Sequence, residues 1–499
     1  MAFRRVLLLL LLFLSALLLR SLYGATNFGE DDAFQVYLIG LKWYTTGIFP
    51  YWGPDVVYTQ SQIPGALQGL LVGGPFFLKV VPEAPFLLLN FLSLSALCFL
   101  GWYLAQRIPA VPKWFLFGWL LTAPWAMNYS THIENPSYVL PAAVMFFVSV
   151  WEIFPIYEKQ IVATKWAFFW LGFSLFWVMQ LHLSWVLMLP YIGLTFWFQA
   201  KKGQGFWRAA LFFLLGAAIT ASTLVPTIME FGVASSGGTE QNIEFNPSNL
   251  SEIPNIAAKM LSFACGEVAR YTGDYTPEPL EFLKAYIWAA PCTIFFALMG
   301  LAQFALFAFS FFQKTSVKTS TSVKTSTSVK TTADKSADKS AINKKPLEWG
   351  KVKFFMLASI GLVCLSYLFA SLPPKAHAFY LLFPVAMWYS FYCYGELFRS
   401  KRFRILAIAF LVSGGVFHFA LAQKNAQRYG LWAKREKVEA AIAAKDYTIL
   451  GLRRESVLQM SSRENVWEKK SEGQYRTGYE YKNPCFQPQN ISCNVFRNG

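Results

Sequence analysis

Long apolar runs recur along almost the whole of this 499-residue chain, and nothing else in it restricts the fold so strongly. A membrane-spanning helix needs roughly 20 such residues, and about eleven runs approach that length. They lie near 6–23, 85–105, 114–128, 137–156, 166–181, 183–200, 208–229, 285–312, 353–372, 378–397 and 404–421. Only 14% of the residues are charged, against roughly 25% in soluble globular chains. The expected fold is therefore an all-α polytopic membrane protein.

The formal charge of +16 does not form one patch, which argues against nucleic acid as a partner. Ten lysines fall between Lys314 and Lys353, and others occupy alternate links: Arg107 and Lys113; Lys159 and Lys165; Lys201, Lys202 and Arg208; Arg399, Lys401, Arg402 and Arg404. The intervening links 129–136 and 181–184 have no Lys or Arg. That alternation follows the positive-inside rule. It predicts outer loops at 24–84 and 230–284, a short outer turn at 373–377, and an extracytoplasmic tail domain at 422–499, appended to a membrane region spanning 1–421. Were the first run a cleaved signal peptide, with Tyr23-Gly24-Ala25 as the small-residue site, residues 26–84 would still lie outside. The stretch 314–351, with its Lys-Thr-Ser repeats, is expected to be a disordered cytoplasmic loop. Five of the seven cysteines fall in or near spans; Cys485 and Cys493 stand in the tail, as a short disulfide if it is outside and as free thiols if it is inside.

Titratable residues gather on the outer side. All four histidines, His132, His182, His377 and His418, fall at or near outer helix ends, and so do Glu30, Asp31, Asp32, Asp55, Glu134 and Glu230. The most informative group is Gly29-Glu30-Asp31-Asp32, three consecutive acids after the first run. Acids at a membrane edge are costly unless they serve something. Residues 32–46 then read as an amphipathic interfacial helix stopped by Gly47, for which one acid suffices as a cap. Asn135-Pro136 reads as an N-cap with proline at the first helical position, which leaves Glu134 unexplained. Lys375 and His377 precede a helix entry at which a phosphate can dock.

The order of these features resembles the GT-C superfamily of membrane glycosyltransferases, especially the protein O-mannosyltransferases and the aminoarabinose lipid A transferases. Asp31-Asp32 stand where those enzymes carry an Asp-Glu pair. The helix at 33–47 is followed by Gly47-Ile48-Phe49-Pro50, similar to a Gly-x-x-Pro turn, and Ile63-Pro64-Gly65-Ala66-Leu67 is similar to a Pro-Gly-Pro-Leu element. The segments 130–138 and 375–384 resemble further family elements, whereas Gln60 and Gln62 replace an expected Lys-Pro-Pro. The resemblance implies a GT-C-type bundle with interfacial helices in the first outer loop, in the cytoplasmic membrane of a bacterium with its active site facing outward. It implies inverting transfer of a sugar from a polyprenyl-phosphate donor to a lipid, glycan or protein acceptor. Asp31 would be the general base and Asp32 would orient the acceptor. Lys375, His377 and Arg270 would meet the lipid phosphate, and Glu30, His132, Glu134 and His182 would complete the substrate contacts. A lipid phosphate leaves readily, so no metal or cofactor is expected. Two other classes fit the outward-facing acids and histidines: a transporter or flippase of lipid-linked glycans, and an O-antigen polymerase or ligase. Few charges lie mid-span and no internal repeat is evident, which disfavours transport. The loop 230–284 holds Arg270 as its single arginine, which disfavours the polymerase.

Overall fold

The computed structural model describes residues 2–28, 31–56, 61–203, 205–232, 245–273, 277–313, 345–370 and 376–450. Among the described residues, seven helices are long and apolar enough to cross a membrane, by length and composition: Val6–Ala25, Ala84–Arg107, Leu183–Lys201, Phe206–Phe231, Ala290–Phe312, Trp349–Tyr367 and Lys401–Gln427. The other four expected spans are also helical, but shorter or interrupted. The chain is thus an α-helical protein of membrane type, with seven candidate spans where the hydropathy pattern predicts about eleven.

In chain order, α1 (Ala2–Ala25) leads into the first loop, where α2 (Asp31–Thr46) is followed by an antiparallel hairpin, β1 (Trp52–Val56) and β2 (Ser61–Pro64), and then by α3 (Leu67–Leu78). The all-α expectation did not include this hairpin. Helix α2 ends where expected, because Gly47 takes a left-handed φ of 72° that ordinary residues avoid. Its apolar face (Val36, Tyr37, Leu38, Leu41) is fully buried. Next come α4 (Ala84–Arg107) and a broken pair, α5 (Lys113–Thr122) and α6 (Pro124–Thr131). Proline at 124 pushes Ala123 to an extended ψ of 136° and ends α5. Asn135–Pro136 is a cis peptide in a turn rather than a helix start; α7 (Val139–Ile153) begins later, with Tyr138 before it.

The remaining helices are α8 (Thr164–Met179), α9 (Leu189–Lys201), α10 (Phe206–Ala221), α11 (Val225–Phe231), α12 (Ile253–Cys265), α13 (Val268–Thr272), α14 (Glu278–Ala285), α15 (Ala290–Phe312), α16 (Lys345–Tyr367), α17 (Phe383–Tyr394), α18 (Lys401–Tyr429) and α19 (Leu431–Ala443). Residues 345–351 belong to α16 rather than to the Lys-rich loop, and the last span runs on past 421 to Tyr429. The beginning of the tail folds back: Lys434 lies over the Phe34 ring, Lys445 over Tyr44, and Arg435 pairs with Glu83 at 2.8 Å. Residues 314–344 and 451–499, including Cys485 and Cys493, lie outside the described residues.

Hydrogen bonds and contacts sort the links into two ends. At one end Asn27 meets His132, Thr227 donates to the Tyr51 carbonyl, Arg270 reaches Tyr129, and Lys424 donates to the Thr272 carbonyl. At the other, Arg107 donates to the Lys159 carbonyl and Lys353 to that of Gln313. The links after α4 and α7 thus meet at one end, and the link 129–136 stands at the other, where Arg270 and Lys424 also lie.

Candidate active site

The break between α5 and α6 shapes the acid-and-histidine end. A helix leaves its last four carbonyls without intrahelical donors, and in α5 two of these are met from other helices. Arg20 donates through Nη1 to the Leu121 carbonyl, and His418 Nε2 donates to that of Thr122 at 2.9 Å. Arg20 Nη2 continues to the Ala126 carbonyl (2.9 Å) and Ser130 Oγ (2.6 Å). This buried cation therefore sits against carbonyl dipoles of a helix C-terminus, a favourable place for positive charge. Tyr23 donates to Asn128 Oδ1 at 2.8 Å and touches His418 Nδ1 at 3.2 Å. The first and last spans are joined to α6 by this network.

Anchored so, α6 projects Tyr129, and the turn after it carries His132 and Glu134. His132 faces inward: it is buried, stacked on Tyr23 at 5.5 Å, with Nδ1 3.2 Å from Asn27 Nδ2. Burial, with the His418 and Arg20 charges acting in the same direction, pushes its pKa down to about 3, so the ring is neutral. His182 is buried as well, and its Nδ1 accepts from the Ser184 N–H at 3.0 Å, capping the 3₁₀ helix Leu183–Met188. Glu134 is half-buried, and its charge acts on the hydroxyls of Tyr129, Tyr271 and Tyr380.

Arg270, delivered by the short helix α13, acts on Tyr129 as Glu134 does. Its Nη2 donates to Tyr129 Oη at 3.2 Å, and its guanidinium lies 5.4 Å over the Trp125 ring. Trp125 and Tyr129 are themselves stacked at 4.7 Å, and Tyr380 closes on Tyr129 at 5.3 Å. A second cation, Lys259 on α12, lies 5.5 Å over Phe379. Its pKa is lowered by burial and further by Arg270, with Glu252 and Glu267 opposing. These groups form an aromatic-walled cluster of two cations with Glu134 and Glu267.

Of the residues expected from the sequence, Asp31 and Asp32 open α2, but their side chains lie outside the described residues, as do Glu30 and Lys375 altogether. Four residues span at most roughly 14 Å, so the start of α2 lies within that reach of Asn27, which touches His132. His377 belongs to the 3₁₀ helix Ala376–Leu382, which carries Phe379 and Tyr380 into the cluster; its side chain is outside the described residues. The hairpin is seated against the end of α8. Gly65, with φ of 109°, packs against Gln180, whose amide donates to the Thr220 carbonyl at 2.8 Å. Sequence reasoning missed Lys259, Glu267 and the aromatic wall. Lys259 had a signal, as the one charge within the apolar stretch Ile253–Cys265. Among the described residues no group of three or more His, Cys, Asp or Glu can hold a metal ion.

No protein family, characterised protein or solved structure matches this chain.

Proposed function

We propose that the protein is a membrane glycosyltransferase that moves a sugar from a polyprenyl-phosphate donor to a lipid, glycan or protein acceptor. The observation carrying this reading is that Arg270 and Glu134 both act on Tyr129, with Lys259 close enough to feel the Arg270 charge, at the end of the bundle where α2 begins. A lipid-phosphate donor needs cations at its leaving group, and a carboxylate near the acceptor hydroxyl. Arg270, held against Tyr129 and Trp125, is the phosphate contact in this scheme, with Lys259 beside it. Asp31 takes the proton as the acceptor oxygen bonds to the anomeric carbon and the carbon–phosphate oxygen bond breaks, so that the lipid phosphate departs with the electron pair. One displacement inverts the sugar carbon. In this reading buried His132 and the capping His182 position their neighbours, and Glu134 meets sugar hydroxyls.

A purified-protein assay with synthetic polyprenyl-phosphate sugars tests this. Asp31→Asn is expected to lose more than about 100-fold in turnover, the scale of losing a general base, with an unchanged melting temperature. Full turnover in that variant would remove Asp31 from the mechanism, and no transfer by the wild type from any such donor would remove the reading. Transport is less favoured. Arg20, the buried cation of the first span, donates to carbonyls and Ser130 that hold the α5–α6 break, a structural task.

A further inference from the structure

At the basic end, the α7–α8 link and the last turn of α9 enclose a cavity of about 740 Å³. Its walls divide by chemistry. Phe154 and Phe198, 5.1 Å apart, form an apolar side, while Lys159, Lys201 and Lys202 stand at its polar side with Glu158. Glu152 also lines the cavity, but its charge is already answered. It accepts hydrogen bonds from Arg107, from Tyr103 Oη at 2.7 Å, and from the N–H groups of Ile161 (2.7 Å) and Val162 (3.2 Å). The three lysines therefore outweigh Glu158, and none of them forms an ion pair among the described residues.

The approach to the cavity is apolar and open. Leu194, Trp197 and Lys201 follow one face of α9 at helical spacing, with Leu194 and Trp197 exposed and the Lys201 ammonium 3.8 Å over the Trp197 ring. Such a stripe suits acyl chains, with an aromatic residue and a cation at the level of the headgroup. The volume falls in the range of small-ligand sites, roughly 300–1,000 Å³. We propose that this cavity binds the phosphodiester headgroup of an anionic phospholipid, with Lys159, Lys201 and Lys202 around the phosphate and the acyl chains along Leu194 and Trp197. A lysine ammonium meets a phosphate as a point charge, and basic pockets between membrane helices are suited to such headgroups. The proposal is independent of the glycosyltransferase reading.

Native mass spectrometry of the full-length, delipidated protein tests it, with titrations of phosphatidylglycerol, cardiolipin, phosphatidylcholine and inorganic phosphate. The anionic lipids are expected to be retained at one site while phosphatidylcholine is not, and inorganic phosphate is expected not to displace them. Lys201→Gln with Lys202→Gln is expected to weaken retention about 25-fold, at about fivefold per lysine. Lys113→Gln, an exposed lysine at the start of α5 outside the cavity, is expected to leave retention unchanged. Equal retention of phosphatidylcholine, or equal weakening by Lys113→Gln, would overturn the site. Displacement of the lipid by inorganic phosphate would reassign the cavity to a soluble phosphate. Melting temperatures of the variants, expected to match the wild type because these side chains are exposed, separate lost binding from lost folding.

Discussion

Replacing Glu152 by methionine tests whether the basic end is held by one buried charge. The Glu152 side chain is 0% exposed and that of Arg107 9%, and the carboxylate accepts from Arg107, Tyr103 and two backbone N–H groups. Methionine is of similar size, so the cavity term is small, and the loss is electrostatic. Removing one partner of a buried pair costs about 3–5 kcal/mol, since the other charge stays desolvated. Each orphaned amide adds up to about 1–3 kcal/mol, reduced here because Ile161 and Val162 are half-buried and their N–H groups can turn to water. The single variant should therefore be destabilised by about 3–5 kcal/mol. Arg107→Met alone should cost a similar amount, leaving the carboxylate with Tyr103 and the two amides. The double variant removes both charges and the cost of burying them, so it should be more stable than the sum of the singles predicts by at least about 2 kcal/mol. Equilibrium unfolding in mixed micelles across the four-member cycle measures this. Additive losses would refute the argument, because they would mean that the two side chains act through packing and not through each other.

Three further outcomes follow from other contacts. Gly24 presses so closely on the Thr131 carbonyl that an added Cβ would overlap it, whereas a Cβ on Gly74 meets nothing within 4 Å. Gly24→Ala should thus lose about 1–3 kcal/mol, and Gly74→Ala, inside α3, should melt no lower than the wild type, since alanine favours a helix interior over glycine by about 0.5–1 kcal/mol. His132 stays neutral in the folded protein down to about 3, while an unfolded histidine takes up a proton below 6.5. Stability should fall as pH drops through that window, by roughly 2 kcal/mol at pH 5, and His132→Phe should flatten the slope of melting temperature between pH 7 and 5. If Arg270 contacts the donor phosphate, Arg270→Gln should lower turnover with a polyprenyl-phosphate sugar at least about tenfold; unchanged kinetics would exclude it from the site.

Several parts of this molecule were legible from residue order. The apolar runs marked the candidate spans but not α3, α12, α13, α14 or α19, Gly47 marked the end of α2, and lysine and arginine marked the links around Arg107 and Lys159 that meet at one end. These signals are local: hydropathy and a left-handed glycine act on their own segment whatever lies across the bundle. The number of candidate spans was not legible in the same way. Pro124 and the turn at Asn135-Pro136 cut apolar sequence into helices too short to count, and a hydropathy window averages across such breaks. The direction of the histidines was not legible for a related reason. Position at a helix end says nothing of inward or outward facing, and His132 turns in toward Tyr23 and Asn27, which lie more than 100 residues before it.

The acidic opening of α2 and the class of fold thus belong to the primary structure, because composition and periodicity report how each segment meets lipid and water. Tertiary structure decided which polar residues are partners. Arg20 lies more than 100 residues before the carbonyls it satisfies, and Arg270 lies 141 residues beyond Tyr129. No sequence spacing encodes such contacts, since they exist only after the helices have packed and each buried donor has found the acceptor left over by another segment's break.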